Sequence, residues 1–146
     1  MSSVMRFLSD HTEEAVDYWI STYYVTSEEY QARKYTPGYI DAHRKETITL
    51  LKLALLNEES IPTNAKSMGE DRYDMQTSFK DALTSHMSFY RAMNEFLIIH
   101  YTKRTFFCVE EEFLDALLKL RKYEAASMEQ LIAGYTMQEG LEAPTA

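Results

Sequence analysis

The 146-residue sequence has only four glycines and three prolines. No alternating apolar–polar run of useful length interrupts its 3.6-residue periodicity. Both absences exclude a β-rich fold, which needs frequent turn residues and period-two patterning. A single cysteine, Cys108, excludes an internal disulfide and a cysteine-rich metal site, and suits a reducing compartment such as the cytoplasm. No long uninterrupted apolar run is present, and the first thirty residues carry six carboxylates, so neither a signal peptide nor a membrane span is expected. Cations are also scarce. Fifteen Lys and Arg against 23 Asp and Glu leave a net charge of −8, which disfavours nucleic acid and anionic membranes, both bound chiefly through basic patches. Motifs for chemistry are missing as well. There is no Glu-x-x-His pair for a di-metal bundle, no HExxH, no glycine-rich phosphate loop, no C-x-x-C and no GxSxG elbow, so no catalytic or metal-ligating residue is assigned.

What is present is helical periodicity throughout, together with 11 Tyr, 7 Phe, 1 Trp and 8 Met, types that fill irregular apolar space. The chain is expected to be all-α and one domain over residues 1–146, with flexible ends at about 1–3 and 141–146. The expected helices are Val4 to Leu8, Thr12 to Val25, a turn or two before Tyr35, Pro37 to Leu56, Asn64 to Arg72, Gln76 to Arg104, and a last stretch from Glu110 through Tyr135. Thr36 is expected to cap the fourth, with Pro37 at its first position. Pro62 falls in the connection Asn57 to Thr63, Gly69 is a weak point of the helix Asn64 to Arg72, and Arg121 and Glu124 interrupt the last apolar arc. Gly134 and Gly140 lead into a fraying tail.

The segment Gln76 to Arg104 organises the rest. At roughly 100° per residue, Phe79, Ala82, Leu83, His86, Tyr90, Met93, Leu97, His100, Tyr101 and Arg104 share one stripe. Two histidines, two tyrosines and an arginine on a core-facing stripe require hydrogen-bond partners, from the protein, from water or from a ligand. His86, Tyr90, His100 and Arg104, with His43 and Arg44 from the facing helix, are the candidates for the polar end of a ligand chamber. Phe79, Leu83, Met87, Phe89, Met93, Phe96 and Leu97 are the candidates for its apolar walls. For each wall residue, plain core packing is the simpler account. For Arg44 it is snorkelling to water, and for the histidines a hydrogen-bonded core position.

The stretches MRFLSDHTEEAVDYWISTYY, SFKDALTSHMSFYRAMNEFLIIHY and LDALLKLRKYEAASMEQLIAGY resemble the non-haem globin sensor domains of stressosome regulators and sporulation sensor histidine kinases. The form is that of stand-alone sporulation-inhibitory sensor proteins, since the sequence stops at Ala146 without a phosphoacceptor helix or an ATP-binding domain. The resemblance implies a globin-like fold without haem, a homodimer, and a hydrophobic tunnel that takes a fatty acid and ends in a polar chamber able to hold chloride. It also implies inhibition of sporulation, by sequestering the signal of a sensor histidine kinase or interfering with its sensor domain. Two alternatives stand beside it. One is a haem-binding gas or redox sensor, with His86 or His100 on the iron. The other is a pure protein-interaction module.

Overall fold

The computed structural model describes residues 1–142, which form seven α-helices, a 3-10 turn and no strand. Helix α1 (Ser3–Asp10) begins where Ser2 Oγ accepts the Met5 N–H at 3.2 Å. Its start is tied to the first turn of the last helix, because Ser3 donates its N–H and its hydroxyl to the Glu112 carboxylate, each at 2.6 Å. Helix α2 (Thr12–Thr22) ends three residues before the expected Val25, in a 3-10 turn at Tyr24–Thr26. Ser27 then caps the short α3 (Glu28–Arg33) by accepting the Tyr30 N–H.

Helix α4 (Tyr39–Leu56) does not start at Pro37 under a Thr36 cap. Gly38 takes a left-handed conformation (φ 77°) directly before it, which breaks the helical path between Pro37 and Tyr39. Helix α5 (Ser60–Asp74) starts four residues earlier than expected. It takes Pro62 into its first turn, where a missing N–H forfeits no helical bond. Helix α6 (Phe79–Thr102) is shorter at both ends than the stretch Gln76 to Arg104, and residues with positive φ, Gln76 (65°) and Arg104 (57°), lie just outside it. Its N-cap is Ser78, which accepts the Asp81 N–H. Helix α7 (Glu110–Glu142) continues through Gly134 and Gly140, so neither glycine ends it. Residues 143–146, in the expected flexible tail, lie outside the described residues.

Two seams hold these helices together. In the first, α1, α2 and α4 pack on α6 and the first half of α7, burying Leu8, Val16, Trp19, Met93, Leu97 and Leu120 almost completely. In the second, α5 lies along the second half of α7 at backbone contact. Both crossing points are glycines, Gly69 beside Leu131 and Gly134 beside Lys66. Gly69 is therefore a packing requirement of α5 and not its weak point.

Candidate functional site

Between the two seams the helices do not close. A cavity of about 300 Å3 is left, walled by α4, α5, α6 and α7, with Trp19 of α2 at one side. Protein interiors normally pack with few voids larger than a water molecule. The space exists because Ala54, Ala65, Ala82, Ser85 and Ser127 stand where larger side chains would fill it. Most of the remaining wall is apolar, from Leu50, Leu51, Ile61, Met68, Phe89 and Leu131. Its exposed lining residues are Glu46 on α4 and Ser67 and Asp71 on α5, which places the mouth between those two helices.

The polar end of the cavity is built around Glu29. Helix α3 is too short to hold a carboxylate in place by itself, and α6 holds it instead. The Asp81 carboxylate accepts the N–H groups of Glu28 (3.1 Å) and Glu29 (3.0 Å), which the first turn of a helix leaves without intrahelical partners. So fixed, the buried Glu29 carboxylate accepts from Tyr24 (2.5 Å) and Thr77 (3.0 Å) and pairs with Arg72 Nε at 3.0 Å, while the Tyr39 hydroxyl stands 2.6 Å from that of Tyr24 and 3.2 Å from the carboxylate. Burial alone would raise its pKa. Arg72 and the Tyr24 and Thr77 hydroxyls outweigh that and hold it below the ordinary carboxylate range, so it is ionised near neutral pH. Burial, and then the same carboxylate, drive the Tyr24 phenol upward.

His43 sits against this cluster between two phenol rings, with centroids 4.6 Å from Tyr24 and 5.8 Å from Tyr39. Burial, reinforced by Arg72 and only partly opposed by Glu29, lowers its pKa to about 4. It makes no side-chain hydrogen bond among the described residues, and it lines the cavity. His86 is likewise lowered to about 4, by burial and then by Arg72. Its Nε2 lies 2.7 Å from Ser127 Oγ, and that hydroxyl lies 2.6 Å from the Tyr123 carbonyl oxygen. A serine hydroxyl has one proton, which the carbonyl claims. Ser127 therefore accepts from a protonated Nε2, and His86 Nδ1 is left as an acceptor. The pair is not arranged as nucleophile and base. The buried Tyr90 phenol lies beside the same serine, and burial raises its pKa.

Of the polar residues singled out in the sequence, the structure thus brings His43, His86 and Tyr90 into one cavity, and of the apolar ones Phe89. Arg44 turns outward to Asp17 (2.6 Å) at the surface. His100 packs against Phe7 and Phe96 in the other seam, with its Nδ1 buried and unpartnered, and Arg104 is exposed beyond α6. Met93, Phe96 and Leu97 belong to the core around α1 and α2. Phe79 and Met87 are exposed at 38% and 44%, Phe79 against Tyr135, and Leu83 is half-buried outside the cavity. The reason is length: His86 and His100 share a stripe but stand roughly 21 Å apart along it, farther than one small cavity reaches.

Sequence reasoning did not single out Glu29, Arg72 or Ser127. Glu29 reads as a first-turn acid that suits the helix dipole. Arg72 carried a usable signal, since it continues the face of Ile61, Ala65 and Gly69. Among the described residues no group of three His, Cys, Asp or Glu side chains could hold a metal ion, and no helix is long and apolar enough to cross a membrane. Comparison with known proteins finds no matching family model, curated protein or solved structure.

Proposed function

We propose that this chain is a globin-like sensor domain without haem, a binding protein and not an enzyme, that holds one lipid of the fatty-acid class in the cavity between α4 and α5. The observation that supports a ligand is the cavity itself. Its volume, about 300 Å3, lies at the lower end of the ~300–1,000 Å3 usual for small-molecule sites, and its wall is apolar with a few convergent polar groups at one end. The regulatory half of the proposal rests on the resemblance of the three quoted stretches. In the cytoplasm the domain restrains a sporulation sensor histidine kinase by holding its ligand or engaging its sensor domain, to an extent limited by concentration and relative affinity. It acts as a homodimer, and the exposure of Leu114 and Leu118, one turn apart on α7, supports pairing through the last helix.

Neither chloride nor haem gains support from the geometry. Arg72, the cation of the polar end, is already matched by Glu29, and His86 Nε2 is committed to Ser127. The deciding experiment is native mass spectrometry of freshly purified protein, with identification of any molecule released on denaturation. One lipid per chain is expected. Ala54→Phe, on the half-buried part of the wall, should abolish its uptake while the helical circular dichroism persists. Protein that arrives empty, and whose Trp19 emission does not respond to added medium- or long-chain lipids, would remove the ligand from the proposal and leave an interaction module.

A further inference from the structure

We infer that the lipid taken by this cavity carries an uncharged hydrogen-bonding head, as a long-chain alcohol or a protonated fatty acid does, and that His43 is its partner in the protein. The inference rests on the proposed lipid site and concerns the head group alone.

The charges that face the cavity decide it. Glu29 from α3, Glu46 from α4 and Asp71 from α5 contribute three carboxylates, and Arg72 from α5 is the one guanidinium among the lining residues. No ion pair holds Glu46 or Asp71 among the described residues. Helix α6 contributes His86 and α7 contributes Ser127 and Leu131, so no further charge comes from those sides. Both histidines are neutral above about pH 5.

An anionic head would pass Glu46 and Asp71 at the mouth and then meet an arginine already neutralised by Glu29. Glu29 is held by the Thr77 hydroxyl and the linked Tyr24–Tyr39 phenols besides the arginine, so exchanging it for a ligand carboxylate would break at least three interactions. A second unpaired charge in the enclosed space would lose its hydration with nothing to replace it. A cationic head fares no better at the floor, where Arg72 repels it and already neutralises Glu29. A neutral hydroxyl or carboxylic acid meets no such obstacle. It is both donor and acceptor, and so is the neutral imidazole of His43, which lines the cavity and forms no side-chain hydrogen bond among the described residues.

The test follows Trp19 emission of the delipidated chain titrated with 1-decanol, decanoate and decylammonium between pH 6 and 8, where neither cavity histidine titrates. Decanol should bind at least tenfold more tightly than decanoate or decylammonium at pH 8, with an affinity independent of pH. Decanoate should gain about tenfold per unit as pH falls, because only its protonated fraction binds. His43→Leu should weaken decanol about tenfold, the loss of one hydrogen bond. Decanoate or decylammonium binding as tightly as decanol at pH 8, or decanoate with a flat pH profile, would overturn the inference while leaving the lipid site in place. Failure of all three to bind would overturn the site and the inference with it.

Discussion

A Cβ placed on Gly69 would lie 2.1 Å from the Leu131 carbonyl oxygen, and one on Gly134 would lie 2.1 Å from the Lys66 carbonyl oxygen, so α5 and α7 meet backbone to backbone at both points. Gly69→Ala or Gly134→Ala must push the helices apart. The expected cost is at least the ~1–3 kcal/mol of overpacking, despite alanine's better helix propensity. Gly140, with nothing within 4 Å, gives the opposite sign: Gly140→Ala should gain up to about 1 kcal/mol. Urea unfolding of the three variants checks both directions at once.

The Glu29–Arg72 pair is buried, with the two side chains 3% and 15% exposed. Arg72→Met strands a carboxylate and should cost ~3–5 kcal/mol. Glu29→Gln added to it should recover part of that loss, because no bare charge then remains. A double-mutant cycle that shows no coupling between the two sites would refute the pairing.

Stability should depend on acid in two steps. His43 and His86 are lowered to about 4 from 6.5, so between those values the unfolded chain binds more protons than the folded one. Their contribution is complete above pH 6.5 and is lost as pH falls toward 4, at no more than about 1.4 kcal/mol per unit for each histidine. Glu29, also lowered, adds a further loss once pH drops through the carboxylate range. His43→Gln and His86→Gln should each flatten the slope between pH 6.5 and 4. An unchanged slope in both would assign the acid sensitivity elsewhere.

Arg44 and Asp17 form an ion pair in which both partners are substantially exposed, at 37% and 54%. Arg44→Ala should therefore cost under about 1 kcal/mol, less at high salt, and leave the affinity for decanol unchanged. A large loss of affinity would return Arg44 to the chamber that the sequence suggested.

The helices were largely legible, because periodicity is a local signal, whereas the cap at Ser78 was missed and the helix it opens was expected to start at Gln76. What failed was local conformation at single residues. The left-handed Gly38 moved the start of α4 by two positions, and a proline that reads as a loop marker sits harmlessly in the first turn of α5. The site was less legible than the fold. His43, His86 and Tyr90 could be found by asking which polar groups lie on an apolar stripe. Glu29 could not, since its burial depends on Asp81 and Arg72, more than forty positions away. Nor does any stripe show where a core is filled and where it is left open. That depends on how Ala54, Ala65, Ala82 and Ser85 meet in space.

The glycine contacts also bear on how the cavity can be reached. Its mouth has two jambs of unequal stiffness. α5 is keyed into α7 at Gly69 and Gly134 and cannot shift without α7 following, whereas α4 is held by side-chain packing, with Ile48 and Leu51 in the core. A ligand that widens the proposed site would therefore displace α4 sooner than the α5–α7 pair, and the surface that α4 presents would register it first.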